Sequence, residues 1–287
     1  MRLTEFSAGR ILFGGVSAGR LAGLAYNGTM LTEAELDRLC VVLVRARNPS
    51  NIGAVARAMH DFGFGRMRVA NEFPVPFEAA RSAVDASAVL ADAVVYGSVA
   101  EAVADCTLVV GTTAVGERNL QHKLLPLEKA APLMCAEIQR SVGAGTGRVA
   151  LLFGSEKTGL SNEEMSHCHW LLTIPMHQPE DGRHLSMNLG QAVAVCLYEL
   201  VRDGGSADAD LRGNKAEPAD AASLERLTAL LSEVLEETEY TRRHAANSDP
   251  AQVRRLVRRM GLDAVDAPVW MGILKQALWR MRGGREE

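Results

Sequence analysis

"CVVLVRARNPSNIGAVARAMHDFGF", residues 40–64, passes from five apolar residues into a helical pattern with hardly a break. A short β-branched run followed at once by an amphipathic stretch is the opening of a β–α unit. On a helical wheel Ile52, Val55, Met59 and Phe62 fall on one side, with Ala54, Arg57 and Ala58 opposite. A guanidinium flanked by small residues can meet a phosphate or a reacting hydroxyl without obstruction. Asn51 is placed to cap the helix, and free N–H groups in its first turn favour an anion. Taken alone, the wheel fits a capped helix with one solvated arginine better.

Working outward, "RMRVA" (66–70), "AVVYG" (93–97), "TLVVGT" (107–112), "RVALLFG" (148–154) and "WLLTI" (170–174) read as further strands. Helical stretches separate most of them, and a long one over 186–202 follows the last. Continuous apolar strands separated by helices predict an α/β unit over 39–203, with a mostly parallel sheet covered on both faces. Residues 1–38 begin Gly/Ala/Ser-rich and without core pattern, predicting a poorly ordered extension in which Met30 could be the natural start. Residues 204–221 read as a flexible linker. The remainder, 222–287, is patterned only as helix, predicting a small all-α domain. Leu224, Leu227, Leu231, Val234 and Leu235 form one stripe, Asp249-Pro250 opens a second helix, and Asp266 with Pro268 a third.

Composition bounds the possible functions. With 47% hydrophobic and 23% charged residues the chain is an ordinary globular one, and its net charge of −4 offers nucleic acid no global attraction. Any RNA site must therefore be a local basic patch. Five scattered cysteines without a C-x-x-C pair fit reduced thiols in a cytoplasmic protein and argue against a disulfide framework or zinc finger. No run approaches the roughly 18 apolar residues of a membrane span.

Two further stretches carry candidate chemistry. In "LLFGSEKTGLSNEEM" (151–165) a buried strand runs into Gly154, a tight loop with Gly159 follows, and Ser161-x-x-Glu164 matches a capping box. Glycines after a strand let backbone approach a ligand at the carboxyl edge, although a plain strand-turn-helix reads the same way. In "IPMHQPEDGRHLSMNLGQAVAVCLYEL" (174–200), Ser186 and Asn188 open a helix apolar on nearly every face, which predicts burial. Such a terminus can aim hydroxyl, amide and N–H groups at a ligand, or simply cap the helix. "GAGTGR" (143–148) precedes its strand and so reads as a loop, and the "HCH" of 167–169 has no distant partner pair to make a metal site.

Individually weak, these motifs are specific in this order. N-x-G-x-x-x-R (Asn51, Gly53, Arg57), F-G-x-E-x-x-G-L (Phe153 to Leu160) and I-P…S-x-N…Y-E (Ile174-Pro175, Ser186, Asn188, Tyr198-Glu199) resemble the SPOUT superfamily of RNA methyltransferases, in its ribose 2′-O branch. The resemblance covers about residues 39–203, and the helical tail is similar to the extension of bacterial tRNA methyltransferases that modify C or U at position 32. It implies a sheet whose C-terminal part threads into a deep trefoil knot, and a homodimer with active sites at the subunit interface. It also implies S-adenosylmethionine bound by Thr112, Thr113, Ala114, Gly154, Ile174, Leu185, Ser186 and Met187. Asn51, Arg57, Glu156, Ser186 and Asn188 would form the catalytic pocket.

The methyl of that cofactor is already activated as a sulfonium, so the enzyme must align a 2′-oxygen behind it and assist loss of its proton. Arg57 is the base proposed for the family, but a guanidinium stays protonated in proteins, which favours a clamp on phosphate and on the developing alkoxide. Arg254, Arg255, Arg258 and Arg259 share one side of a helix opposite Val253, Leu256, Val257 and Met260, with Arg242 and Arg243 upstream. Such a face would bind RNA phosphates, or else be a solvated amphipathic helix. The expected function is a tRNA 2′-O-methyltransferase. The alternatives are an enzyme for another ribose (tRNA position 34 or ribosomal RNA), a silent RNA-binding protein on the same fold, and a nicotinamide dehydrogenase, disfavoured by the missing glycine fingerprint.

Overall fold

Strand β1 (Leu39–Val44) has every side chain buried and divides them between two cores. Leu39, Val41 and Leu43 point into one, Cys40, Val42 and Val44 into the other. A strand covered on both faces must be apolar throughout, and each buried aliphatic side chain contributes roughly 1.5–3 kcal/mol. The computed structural model describes residues 31–71, 73–75, 87–114, 120–177, 187–202, 217–244 and 249–283.

β1 pairs in parallel with β2 (Met67–Ala70) on one side and β6 (Val149–Phe153) on the other. With β3 (Val94–Tyr96), β4 (Leu108–Thr112), β5 (Leu124–Pro126) and β7 (Trp170–Thr173) the seven-stranded order is β3-β2-β1-β6-β4-β7-β5, parallel throughout. All six strands read from sequence are present, each to within a residue at either end. β5 was not expected. It is a half-buried edge strand of three residues ending in proline, too short for a period-2 signal.

Around the sheet lie α1 (Glu33–Leu36), α2 (Pro49–Asp61), α3 (Ser87–Ala91), α4 (Val99–Ala102), α5 (Leu127–Ala144), α6 (Asn162–Ser166) and α7 (Leu189–Arg202). Residues of α2, α5 and α7 fill the core on one face, while α4 and α6 contribute Val99, Ala102 and Met165 to the other. The extension expected over 1–38 is corrected at its end: Thr32 and Glu35 form a reciprocal capping box on α1, and Leu31 is buried in the core. Residues 1–30 lie outside the described residues.

The small residues of α2 have a packing reason. Ala54 faces Gly190 of α7, where an added Cβ would stand 2.6 Å from the Ala54 Cβ. Ala54 is half-buried and Ala58 buried, so Arg57 is the exposed member of this face. α7 itself is not buried all round, contrary to its sequence: Leu189, Val193, Cys196, Leu197 and Leu200 are buried, but Val195 and Tyr198 are exposed. Tyr198 packs edge-on against Phe62, with centroids 6.3 Å apart.

The tail consists of α8 (Ala221–Glu237), α9 (Tyr240–Arg243), α10 (Pro250–Arg259) and α11 (Asp266–Met281) around Leu224, Leu227, Val257, Ala267 and Leu274. Of the expected linker, residues 204–216 lie outside the described residues, and its last residues are paired. Ala219 N–H donates to Leu262 O (3.0 Å), and Ala221 N–H donates to Cys106 O (2.9 Å), fastening α8 to the sheet's second face. Gly190→Ala should force α2 and α7 apart and cost about 1–3 kcal/mol. A fall of several degrees in Tm is expected, and an unchanged Tm would show that the helices yield without loss.

Candidate active site

β1 and β6 are neighbours, so the loops leaving their carboxyl ends emerge side by side. The first enters α2, whose N-cap is Asn48 and not Asn51 as the sequence suggested: the Asn48 side chain accepts from Ser50 N–H (2.9 Å), with Pro49 in the first turn. Asn51, displaced into the first turn, is free for other work. Its Nδ2 donates to Glu156 Oε1 (2.9 Å) in the loop after β6, and its Oδ1 accepts from Asn188 Nδ2 (3.2 Å). Asn188 Oδ1 in turn accepts from Gly190 N–H (3.0 Å) at the start of α7. Three separate motifs thus meet in one chain of side-chain hydrogen bonds. Arg57 lies exposed further along α2.

The loop after β6 is held tightly. A Cβ on Gly154 would lie 2.1 Å from the backbone carbon of Gly159, so only glycine fits where the loop folds back. Gly159, at φ +64°, donates its N–H to Ser155 O (2.8 Å). Ser161 and Glu164 form the capping box read from sequence. Arg45, which sequence reasoning passed over, adds a clamp: it adopts φ 56° and reaches Glu164 at 2.5 and 3.0 Å and Gly159 O at 2.9 Å. Burial opposes ionisation of Glu164, yet the Arg45 hydrogen bond and the Ser161 N–H hold its carboxyl below the usual carboxylate range. Nothing in an arginine's side chain announces a left-handed backbone.

β6, β4 and β7 are consecutive in the sheet, so the segments ending in Gly154, Thr112–Ala114 and Ile174 share one edge. Thr112 Oγ1 donates to Leu152 O (2.9 Å) and Thr113 N–H donates to Leu172 O (3.0 Å), which leaves Ala114 exposed beyond them. Ile174 and Met187 are half-buried; Leu185 and Ser186 lie outside the described residues. The segment 167–169 proves to be a turn into β7: His169 Nδ1 accepts from Val109 N–H (3.0 Å), and burial pushes the pKa values of His167 and His169 down to about 3.

The basic face expected on α10 is corrected. Arg255 and Arg258 are only 8% and 4% exposed, while Leu256 and Met260 face outward. Arg254 bonds Glu225 on α8 (2.9 Å) and Glu163 and Ser166 on α6 (2.7 and 2.8 Å), and Arg258 approaches Glu225 at 3.7 Å. Glutamates on two facing elements draw the guanidinium groups inward, and the long arginine stems bury their methylenes with them. Of the arginines singled out in the tail, Arg242, Arg243 and Arg259 remain exposed.

The model of the SpoU rRNA Methylase family matches residues 38–198. The chain belongs to that family. It is 32% identical over 243 residues to the tRNA (cytidine/uridine-2′-O-)-methyltransferase TrmJ of Sodalis glossinidius, spanning 83% of this chain and 91% of the relative. It is 31% identical to the TrmJ of Yersinia enterocolitica, over 86% and 96% of the two chains. Among solved structures, TrmJ from Z. mobilis ZM4 superposes with a TM-score of 0.66 at 29% identity, covering 83% of this chain and 97% of that one. The family member described here is an RNA 2′-O-methyltransferase. Its tail arginines separate by role in a stability measurement. Arg254→Met should cost about 1 kcal/mol by removing the bonds to Glu225, Glu163 and Ser166, whereas Arg258→Met, which removes a buried charge approached by Glu225 only at 3.7 Å, should leave urea unfolding unchanged or improved.

Proposed function

We propose that the chain transfers a methyl group from S-adenosylmethionine to the ribose 2′-oxygen of nucleotide 32 in the tRNA anticodon loop, on C and U, as a homodimer. The observation that carries the reading is the hydrogen-bonded chain Glu156–Asn51–Asn188, which joins the three motifs at one sheet edge, with Arg57 exposed further along α2. The relatives named for cytidine and uridine 2′-O-methylation match across the tail as well as the sheet, since the matched length exceeds the span from 38 to 198. That favours position 32 over enzymes built on the bare catalytic unit.

The cofactor fits the edge chemically. Gly154, Thr112, Thr113, Ala114, Ile174 and Met187 offer backbone groups and small or apolar side chains, a set suited to a neutral adenine and ribose; Leu185 and Ser186 belong to it by resemblance. When bound, the cofactor supplies an electrophilic methyl on a sulfonium. In this reading Asn51 and Asn188 orient the ribose, Glu156 fixes the Asn51 amide, and Arg57 clamps the neighbouring phosphate and the developing alkoxide. The trefoil knot, the 39–203 catalytic unit and the all-α RNA-binding tail are parts of the same proposal. The exposed Val195 and Tyr198 on α7 support a subunit interface there. In this reading the exposed Arg242, Arg243 and Arg259 meet phosphate, while Arg254, Arg255 and Arg258 are turned into the fold.

Mass spectrometry of tRNA from a deletion strain, and of reactions with purified enzyme, tests the target: position 32 should lose its methyl in the strain and gain it in the tube. Methylation only at position 34 or in ribosomal RNA would overturn the assignment. In the same assay Arg57→Ala should abolish transfer while calorimetry finds S-adenosylmethionine affinity nearly intact, and Arg57→Lys should rescue poorly for want of the planar fork. Near-normal turnover in the alanine variant would remove Arg57 from the mechanism.

A further inference from the structure

Beside the hydrogen-bonded cluster, the same sheet edge carries a second feature that the motifs do not include. β1 and β2 end together, with Val44 opposite Ala70. The buried Asn71 then donates from Nδ2 to Ala46 O (2.9 Å), tying the segment after β2 to the segment that leads into α2. One residue past Ala46 stands Arg47, and two past Asn71 stands Phe73. The tie brings them together: the Arg47 guanidinium lies 4.6 Å from the centroid of the Phe73 ring. Phe73 is nonetheless 48% exposed and Arg47 is exposed, so the pair presents an aromatic surface and a cation to solvent at the carboxyl edge. Asn48, next along the chain from Arg47, caps the helix that holds Asn51. Lys157, also exposed, adjoins Glu156 on the other side of the cluster.

From this arrangement we infer that Phe73, backed by Arg47, is a stacking platform for an unpaired nucleobase next to the methylated ribose. The inference rests on the reading of the site as an RNA methyltransferase centre. A phenyl ring left 48% exposed forgoes much of its burial energy, whereas every nucleobase has a π-face that stacks on it without regard to sequence. Arg47 holds the ring in place from one side by cation–π contact and adds positive charge where a phosphodiester must pass. A duplex offers no free π-face, so the platform selects single-stranded loop over stem. That is a discrimination of substrate class which the polar cluster, reading only a ribose and its phosphate, does not supply.

The test compares the full-length wild type with Phe73→Ala, Phe73→Leu and Phe73→Trp. Two readouts are used: anisotropy of a fluorescein-labelled anticodon stem-loop RNA, and methyl transfer to purified tRNA from S-adenosylmethionine. Because half the ring is exposed and its contact in the fold is with Arg47, Tm should fall by no more than a few degrees. Phe73→Ala should weaken stem-loop binding roughly five- to 150-fold, the range for loss of one base–aromatic stack. Phe73→Leu should stay weak, because it restores apolar bulk without a π-face, and Phe73→Trp should bind as wild type or tighter. Alanine binding within twofold of wild type, or full rescue by leucine, overturns the platform. A change in sedimentation with unchanged RNA affinity would overturn it too, marking Phe73 as a subunit contact. If the variants lose RNA affinity as expected while the wild type transfers no methyl to tRNA, the functional reading fails and the platform stands. If the wild type binds no stem-loop RNA, both fall.

Discussion

The parallel pairing of β1 with β6, from Leu39 opposite Val149 to Leu43 opposite Phe153, sets the position of everything chemical in the molecule. Two strands far apart in sequence end at the same level, and the loops that follow have no choice but to meet. Asn51 reaches Glu156 because of this register; a slip of one residue would turn Val42 and Leu43 to the wrong cores and carry Glu156 away from α2. The bond between β1 and β6 is therefore both the centre of the core and the frame of the site. The arrangement follows the general behaviour of open parallel sheets, whose ligands bind outside the carboxyl ends where neighbouring strands lead their helices apart.

Around that frame the polar groups are arranged to limit motion. Asn51 uses both ends of its amide, toward Glu156 and Asn188, and Asn188 uses its own oxygen to cap α7. An amide bonded at both ends cannot turn over without losing two partners, so its orientation is fixed before any substrate arrives. The Arg45 clamp on Glu164 and Gly159 O does the same for the loop bearing Glu156, at the expense of a left-handed backbone at an arginine. Preorganisation of this kind suits the proposed transfer from a sulfonium, where alignment of the acceptor oxygen and loss of its proton are what the protein must supply.

The sheet was legible in the sequence because strands buried on both faces have no polar alternation to confuse with a helix. "CVVLV" and "VALLF" could hardly be read otherwise, and the half-buried "LLP" of β5, at an edge and closed by proline, could. The site residues were legible only as motifs. That Asn51, Glu156 and Asn188 bond to one another is a matter of strand order, which no local pattern encodes. Asn48 took the capping position from Asn51 because a proline follows it, a competition the wheel does not register. The tail misled for a related reason. A helical wheel assigns the charged side to solvent, but Glu163 and Glu225 lie on other elements and draw Arg254 and Arg258 inward, leaving Leu256 and Met260 outside. Only tertiary context tells a phosphate-binding arginine from one that holds two helices together.

Arg57 stands among small residues for two reasons that the structure separates. Ala54 is small because α7 crosses it at Gly190, close enough that a single methyl would not fit. Ala58, one turn further on, is buried as well as small. The close crossing places the start of α7, and with it Asn188, within reach of the first turn of α2, so the packing that strips this face of bulk also assembles the hydrogen-bonded cluster. Arg57 needs no clearing made for it; it lies where the crossing leaves α2 open. The exposed Arg57 and Arg47 guanidinium groups and the half-buried Asn51 amide lie along one helix and the segment that enters it, and Phe73, from the segment after β2, packs against Arg47. The charge, the ring and the amide are carried by fewer than thirty consecutive residues. In the proposed reading, one short stretch of chain would offer a separate contact to each chemical part of a nucleotide.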